Sequence, residues 1–388
     1  MLLVLSYFLL LLVIWKFTMT QSYHQGRKTQ AILGFLLLFI FFGFRDLPIL
    51  NDTGHYYGHY YEVLSDSKGL NNIFKYDPYE RFEYGYQVLE RLLINYVSKD
   101  PYTIIMFSSF VFTLCNIFLF KKYSQRIALA LFLFFINIPQ YSAIRESFAV
   151  MVFYLAFEQL LKKKFLRYIA LSFLAYSFHR SAIILFAFPL LCLLNVNKRN
   201  ISFVLIGTLV VGYMIFPILQ MLNMTDSIYY ETAMEREALP LGQAIIAMLN
   251  IIMAVSCYLV WKRAPHISLP KPFIWAAIMT VSISIIAIPF GIISRYGAYF
   301  SPYLLLMFMY HIEHSQGEVL ITSNGYSATL ESGYHNITPQ AWRILMFFIL
   351  LNIAKFIVIA TFKNEWSHLI PYSFFDFAPG IHNFNFGY

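Results

Sequence analysis

Charge is scarce in this sequence. Only 12% of its 388 residues are Asp, Glu, Lys or Arg, against about 25% in soluble domains, and that shortage excludes an ordinary water-facing surface. Cysteine is scarcer still. Cys115, Cys192 and Cys257 all lie in apolar stretches, with neither a disulfide framework nor a zinc-ligand spacing, so they read as small packing residues. The short alternating segments of a membrane β-barrel are absent. So are a Walker loop, a dinucleotide fingerprint and a G-x-S-x-G elbow. No internal repeat is visible. The opening apolar run, Leu2 to Trp15, lacks a basic leading segment and a small-x-small cleavage site, and it reads as a retained helix rather than a signal peptide.

What the chain has instead is apolar length. Hydrophobic residues make up 59%, and mean hydropathy is +0.61. Several runs approach the roughly 20 residues that span a bilayer as a helix. The expectation is an all-α polytopic integral membrane protein, one transmembrane domain over residues 1–388, with about twelve spans. The runs are Leu2 to Trp15, Ala31 to Phe44, Tyr102 to Phe120, Ile127 to Ile138, Phe148 to Leu161 and Tyr168 to Phe178. Ala182 to Leu194, Ile201 to Leu219, Ala244 to Trp261, Phe273 to Ile293, Ala298 to His311 and Ala341 to Thr361 follow. The sixth and seventh are short, which suggests a hairpin turning at His179 within the membrane boundary.

Net charge is +8, and its distribution is not a nucleic-acid footprint. The excess sits in short clusters between the runs: Arg27-Lys28, Lys121-Lys122, Lys162-Lys163-Lys164, Lys198-Arg199 and Lys262-Arg263. Twelve spans put all five on one side, the cytoplasmic side by the positive-inside rule. The long polar segment 45–100, the Arg145 turn, the His179-Arg180 break, Arg295 and both termini then face outward. Segment 313–340 becomes a cytoplasmic loop. The outer segment is rich in tyrosine (Tyr56, Tyr57, Tyr60, Tyr61, Tyr76, Tyr79, Tyr84 and Tyr86). Tyrosine favours the headgroup level, so interfacial helices are expected there.

Candidate chemistry begins with arginine. Arg45, Arg145 and Arg295 each stand at an outward break between apolar runs. Charge at that depth is costly and marks function or a structural ion partner. An arginine fork takes phosphate oxygens in two-pronged fashion and keeps its charge, so three converging on one cavity suit a pyrophosphate. Asp52, Glu83 or His179 could serve an acceptor hydroxyl as base. The alternatives are a helix cap for Asp52 and a helix-end role for His179. Glu146 reads as an ion partner for an arginine. Arg145 and Glu146 are adjacent and, on a helix, serve different partners. His55, His59 and Glu62 have i, i+4, i+7 spacing that can present metal ligands, but the surrounding tyrosines favour an interfacial helix, and no metal site is expected.

Taken in order, the pieces resemble the EpsG/Wzy-type polysaccharide polymerases of bacterial inner membranes. They are Phe44-Arg45-Asp46 with Asp52-Thr53 and Tyr56; Glu83-Tyr84-Gly85-Tyr86; Ile144-Arg145-Glu146; Phe178-His179-Arg180-Ser181-Ala182; Ser294-Arg295-Tyr296 with Tyr299; and Trp366 with Pro371-Tyr372. The sequence departs at Asn51, and segment 313–340 is long. The resemblance implies a GT-C-like membrane fold with a periplasmic loop after the second span. It also implies an enzyme that joins undecaprenyl-pyrophosphate-linked repeat units, as in O-antigen or exopolysaccharide synthesis. Donor and acceptor are both lipid-linked glycans, no soluble cofactor is needed, and a flippase and a chain-length regulator are the expected partners. By this resemblance Arg45, Arg145 and Arg295 hold pyrophosphate, Asp52, Glu83 and His179 are catalytic, and Tyr56, Tyr84 and Tyr296 line the glycan groove. The rival classes are a flippase or exporter of the same lipid-linked glycan, which is not an enzyme, and an O-antigen ligase.

Overall fold

Each of the twelve apolar runs overlaps a helix among the described residues of the computed structural model of the chain. The structure describes residues 2–50, 52–65, 73–74, 82–136, 143–221, 241–263, 269–315, 337–362 and 372–374. The helices are α1 Leu2–Thr18, α2 Tyr23–Gly43, α3 Thr53–Ser65, α4 Tyr84–Tyr96, α5 Thr103–Tyr123, α6 Ile127–Phe135 and α7 Ile144–Leu161. Then come α8 Phe165–Phe178, α9 Ile184–Leu193, α10 Lys198–Met221, α11 Leu241–Arg263, α12 Lys271–Ile286, α13 Ser294–Glu313 and α14 Pro339–Phe362. Two 3-10 turns, Arg180–Ile183 and Gly291–Ile293, lead into α9 and α13.

Among the described residues, four helices are long and apolar enough to cross a membrane: Tyr23–Gly43, Thr103–Tyr123, Gly242–Lys262 and Pro339–Ile357. Four shorter apolar stretches, Val4–Thr18, Phe165–Phe178, Arg180–Leu193 and Lys271–Ile286, stand beside them. The chain is a helical membrane-embedded protein.

Helix α7, flanked by α5, α8 and α13, carries one of the densest parts of the core. Aromatic side chains fill it: Phe157 stacks on Tyr303 at 3.9 Å between ring centres, and Phe153 meets Phe300 edge-on at 5.5 Å. Such offset and edge contacts add to the apolar burial. Helices α8 and α9 lean together through the buried Tyr168 hydroxyl, which donates to the Leu185 carbonyl at 2.6 Å.

Three sequence expectations shift. The tenth run was read through Ile293, but its helix stops at Ile286. Pro289 follows and disfavours helical backbone in the residue before it, so the chain turns and re-enters as the second 3-10 turn. The second helix starts at Tyr23, eight residues before its apolar run, because the polar segment carrying Arg27 is helical as well. The tyrosines of the outer segment divide: Tyr61 and Tyr84 are exposed, whereas Tyr56, Tyr60 and Tyr86 are buried. These three are core residues rather than interfacial anchors, because α3 and α4 pack on each other and on α5. Tyr76 and Tyr79 lie outside the described residues, as do most of segments 313–340 and 363–388.

The bundle has two polar ends. At one end the Tyr372 hydroxyl donates to the Phe41 carbonyl, Asp46 N–H donates to the Ser373 carbonyl at 3.0 Å, and Arg45 bridges Phe374. At the other, Arg27 donates to the Lys121 and Ser124 carbonyls, and Glu313 accepts from Ser124 and Arg126.

Candidate functional site

Helix α7 begins at Ile144, and its first turn presents Arg145 toward α4. The Arg145 guanidinium donates to the Glu83 carboxylate, lies 4.3 Å above the Phe82 ring centre, and reaches the Tyr56 hydroxyl from Nε at 3.5 Å. Its backbone N–H also points at that hydroxyl, at 3.4 Å. The cation is thus held on an aromatic face and neutralised by one carboxylate. Glu83 stands at the N-cap of α4 but makes no side-chain cap. Its second oxygen instead accepts from the Arg180 backbone N–H at 3.3 Å, which ties α4 to the break after α8.

Gly85 makes that junction possible. A Cβ there would lie 2.9 Å from the backbone of Ser177 and 2.4 Å from its hydroxyl. Only glycine lets the start of α4 approach the end of α8 this closely.

His179 closes α8 in extended backbone, φ −156° and ψ 131°. Its Nδ1 accepts from the Ser181 N–H at 3.2 Å and lies 2.7 Å from the Ser181 hydroxyl. A backbone N–H can only donate, so Nδ1 is the acceptor, and the neutral ring carries its proton on Nε2. The Ser181 hydroxyl is in turn 2.9 Å from Tyr299 Oη on α13. The chain Tyr299 to Ser181 to His179 therefore leaves an Nε2–H donor facing away from Ser181. His179 lies outside the helical segments on either side, and burial pushes its imidazole down to about 4. Glu83 opposes that shift, and the Arg145 and Arg295 charges add to it.

Glu146 is buried at 6% exposure. The charges acting on it are Arg295, Asp52 and Arg145. Its carboxylate makes no hydrogen bond or ion pair with another described residue. Arg145 and Glu146 do serve different partners, since neighbours on a helix point about 100° apart: Arg145 pairs with Glu83, and the first charge acting on Glu146 is that of Arg295. Arg295 is exposed in the first turn of α13, and its charge reaches both Glu146 and His179.

Arg145, Glu83 and Tyr56 are thus gathered directly, and His179, Arg295 and Asp52 stand within electrostatic range. Tyr56 is fully enclosed and serves Arg145 with its hydroxyl rather than offering a face to a sugar. Burial raises its pKa against the lowering pull of Arg145. Tyr84 is exposed, with its hydroxyl on the Phe74 carbonyl at 3.1 Å. Tyr296 is half-buried beside Arg295. Arg45 is separate from the group. It is 0% exposed, with Nε on Thr53 Oγ1 at 3.1 Å and Nη1 on Ser109 Oγ at 3.1 Å and on the Phe42 carbonyl. Tyr102 donates to its carbonyl at 2.6 Å. Arg45 fastens the end of α2 to α3 and α5. His59 of the triplet His55-His59-Glu62 turns to Glu90 on α4, Nδ1 to Oε2 2.9 Å, while His55 and Glu62 are exposed.

Sequence reasoning passed over Phe82 and the Ser181–Tyr299 link. Both lay inside or beside the motifs already singled out, and the signal was an aromatic residue preceding Glu83 and a hydroxyl two residues after His179.

The fold and this cluster together define a helical membrane protein with arginines and carboxylates gathered at one end of the bundle. The chain belongs to the EpsG family, whose family model matches residues 28–323. No curated protein and no solved structure matches it. Membership points to a polysaccharide-polymerase type of role, of the glycosyltransferase-like kind.

Proposed function

We propose that the chain is a polymerase acting at the periplasmic face of a bacterial inner membrane. It joins oligosaccharide repeat units carried on undecaprenyl pyrophosphate, with all twelve helical runs crossing a GT-C-like membrane domain. The observation that carries this reading is that the charges of Arg145 and Arg295 both reach His179, whose Nε2–H faces away from Ser181. Two guanidinium groups and an imidazole donor fit the oxygens of a pyrophosphate. They would stabilise the charge that develops on it as it leaves.

Glu83 holds Arg145 in the structure. A pyrophosphate would displace that carboxylate or share the fork with it. Tyr84, which is exposed, and Tyr296, which is half-buried, would border the glycan, and the polyprenyl chain would run along the apolar flanks of the bundle. A flippase that delivers the substrate and a chain-length regulator are the proposed partners.

Arg145→Ala and Arg295→Ala are expected to abolish long-chain polymer while the protein still accumulates in membranes. Arg145→Lys should fail almost as badly, because an ammonium lacks the two-pronged geometry. Electrophoretic ladders of surface glycan read the outcome, and normal ladders from both alanine variants would sink the polymerase assignment. A deletion strain separates the rival classes. Loss of a polymerase leaves single repeat units attached, loss of a flippase leaves none, and loss of a ligase leaves unattached polymer.

A further inference from the structure

We infer that Glu146 is the catalytic base, the group that takes the proton from the acceptor hydroxyl. The inference rests on the polymerase reading and deepens it. Four groups near the patch could accept a proton. Glu83 is occupied on both oxygens, by the Arg145 guanidinium and the Arg180 N–H. His179 accepts from Ser181 through Nδ1, and its other nitrogen carries hydrogen. Asp52 is half-buried just ahead of α3, is already engaged, and acts as a charge on both Tyr56 and Glu146. Glu146 remains: buried, and making no hydrogen bond or ion pair with another described residue.

Its placement suits the task. The first turn of α7 sends Arg145 toward Phe82 and Glu83, and sends Glu146 about a quarter-turn away. There the neighbours are Arg295 and Tyr299 of α13, both within electrostatic reach of its carboxylate. A pyrophosphate gripped by Arg145 and His179 and an acceptor hydroxyl at Glu146 would then meet across Arg295. In the step itself the hydroxyl oxygen bonds to the anomeric carbon of the donor glycan. The bond from that carbon to the phosphate oxygen breaks, its electron pair leaves with undecaprenyl pyrophosphate, and the hydroxyl proton passes to Glu146. The proton returns to water once the product has moved on.

The test uses full-length protein in nanodiscs with purified lipid-linked repeat unit as donor and acceptor. Glu146→Gln keeps the shape of the side chain and removes the base. Turnover is expected to fall at least about 100-fold, the usual scale for general-base loss, with donor binding unchanged within about twofold. Glu146→Asp, which keeps the carboxylate at shorter reach, is expected to lose at least about tenfold in turnover and to exceed the Gln variant. Gln-variant turnover within tenfold of the parent overturns the inference, and so does a loss that appears only as weakened donor binding. If Glu146→Gln does not yield folded protein, parent-like turnover of Glu146→Asp overturns it instead. Arg145→Ala and Arg295→Ala run alongside. Inactive arginine variants with an active Glu146→Gln sink this inference alone, whereas active arginine variants sink the polymerase reading beneath it.

Discussion

Which nitrogen of His179 carries the proton decides what that residue can do. Ser181 presents both its N–H and its hydroxyl to Nδ1, and Tyr299 orients that hydroxyl from α13. The ring is therefore a donor toward the patch while it is neutral. Burial lowers its pKa from 6.5 to about 4, so it stays neutral through the range where the protein would work. The linkage has a definite sign. Between about 4 and 6.5 the unfolded chain binds more protons at this position than the folded chain, so folded stability falls as pH falls through that window. Between pH 7 and pH 5 the loss is at most about 2 kcal/mol, since a tenfold difference in proton affinity is worth about 1.4 kcal/mol. His179→Asn removes the titration. Thermal unfolding in detergent at the two pH values should show the parent losing more stability than this variant, and equal losses would contradict the assignment. Tyr299→Phe should leave the protein folded and lower polymer output, because the Ser181 hydroxyl then loses the group that aims it.

At the scale of elements, the geometry depends on how closely helices end against one another. The start of α4 meets the end of α8 only because residue 85 has no side chain. Gly85→Ala must push Glu83 away from Arg180 and Arg145, because the obstacle is the backbone of Ser177 and cannot rotate aside. The expected cost is about 1–3 kcal/mol, the range for forced overpacking, with shortened glycan ladders at permissive temperature. Melting temperature and ladder length together check it. The end of α7 behaves in the opposite way. Lys163 N–H bonds to the Leu160 carbonyl at 3.0 Å, and Lys164 N–H bonds to the Gln159 carbonyl at 2.8 Å. This is the paired C-terminal closure that normally places glycine at the left-handed position. Lys163 occupies it with φ 57°. Lys163→Gly is expected to raise stability by roughly 1 kcal/mol, read as a higher melting temperature with unchanged polymer output. The helices themselves were legible from hydropathy, because continuous apolar runs leave few alternatives in lipid. Their ends were less so: the halt of α12 at Ile286 and the early start of α2 depend on local backbone chemistry inside or beyond the apolar pattern.

Across the whole molecule, the same helices carry different kinds of polar end, and this explains which site residues sequence could find. Arg45 and Arg145 look alike in sequence, each at an edge of an apolar run. In space Arg45 is sealed among Thr53, Ser109 and backbone carbonyls, and Arg145 stands in the cluster. Hydropathy cannot tell them apart, because the difference lies in contacts made 64 residues away for one and 62 for the other. The divergence of Arg145 and Glu146, by contrast, is legible in the sequence, because adjacent residues on a helix cannot share a partner. The opposite end of the bundle supplies a control that separates fold from function. There Glu313, 0% exposed at the end of α13, accepts from the Ser124 hydroxyl at 2.8 Å, from Gln125 N–H at 2.8 Å and from Arg126 N–H at 2.9 Å. Gln30 of α2 takes the Ala128 N–H at 3.0 Å. A carboxylate from one helix and an amide from another thus satisfy the open donors at the start of α6, where the helix dipole also favours negative charge. Glu313→Ala leaves those donors unmet and Arg126 buried beside them. It is expected to destabilise the fold by about 3–5 kcal/mol, far more than any substitution at Glu146, yet to leave donor binding by the protein that does fold unchanged. Melting in detergent beside donor binding in nanodiscs decides it. A Glu313→Ala protein that melts like the parent, or one that folds but loses donor affinity, would show that the two ends do not divide the work of holding and of reacting.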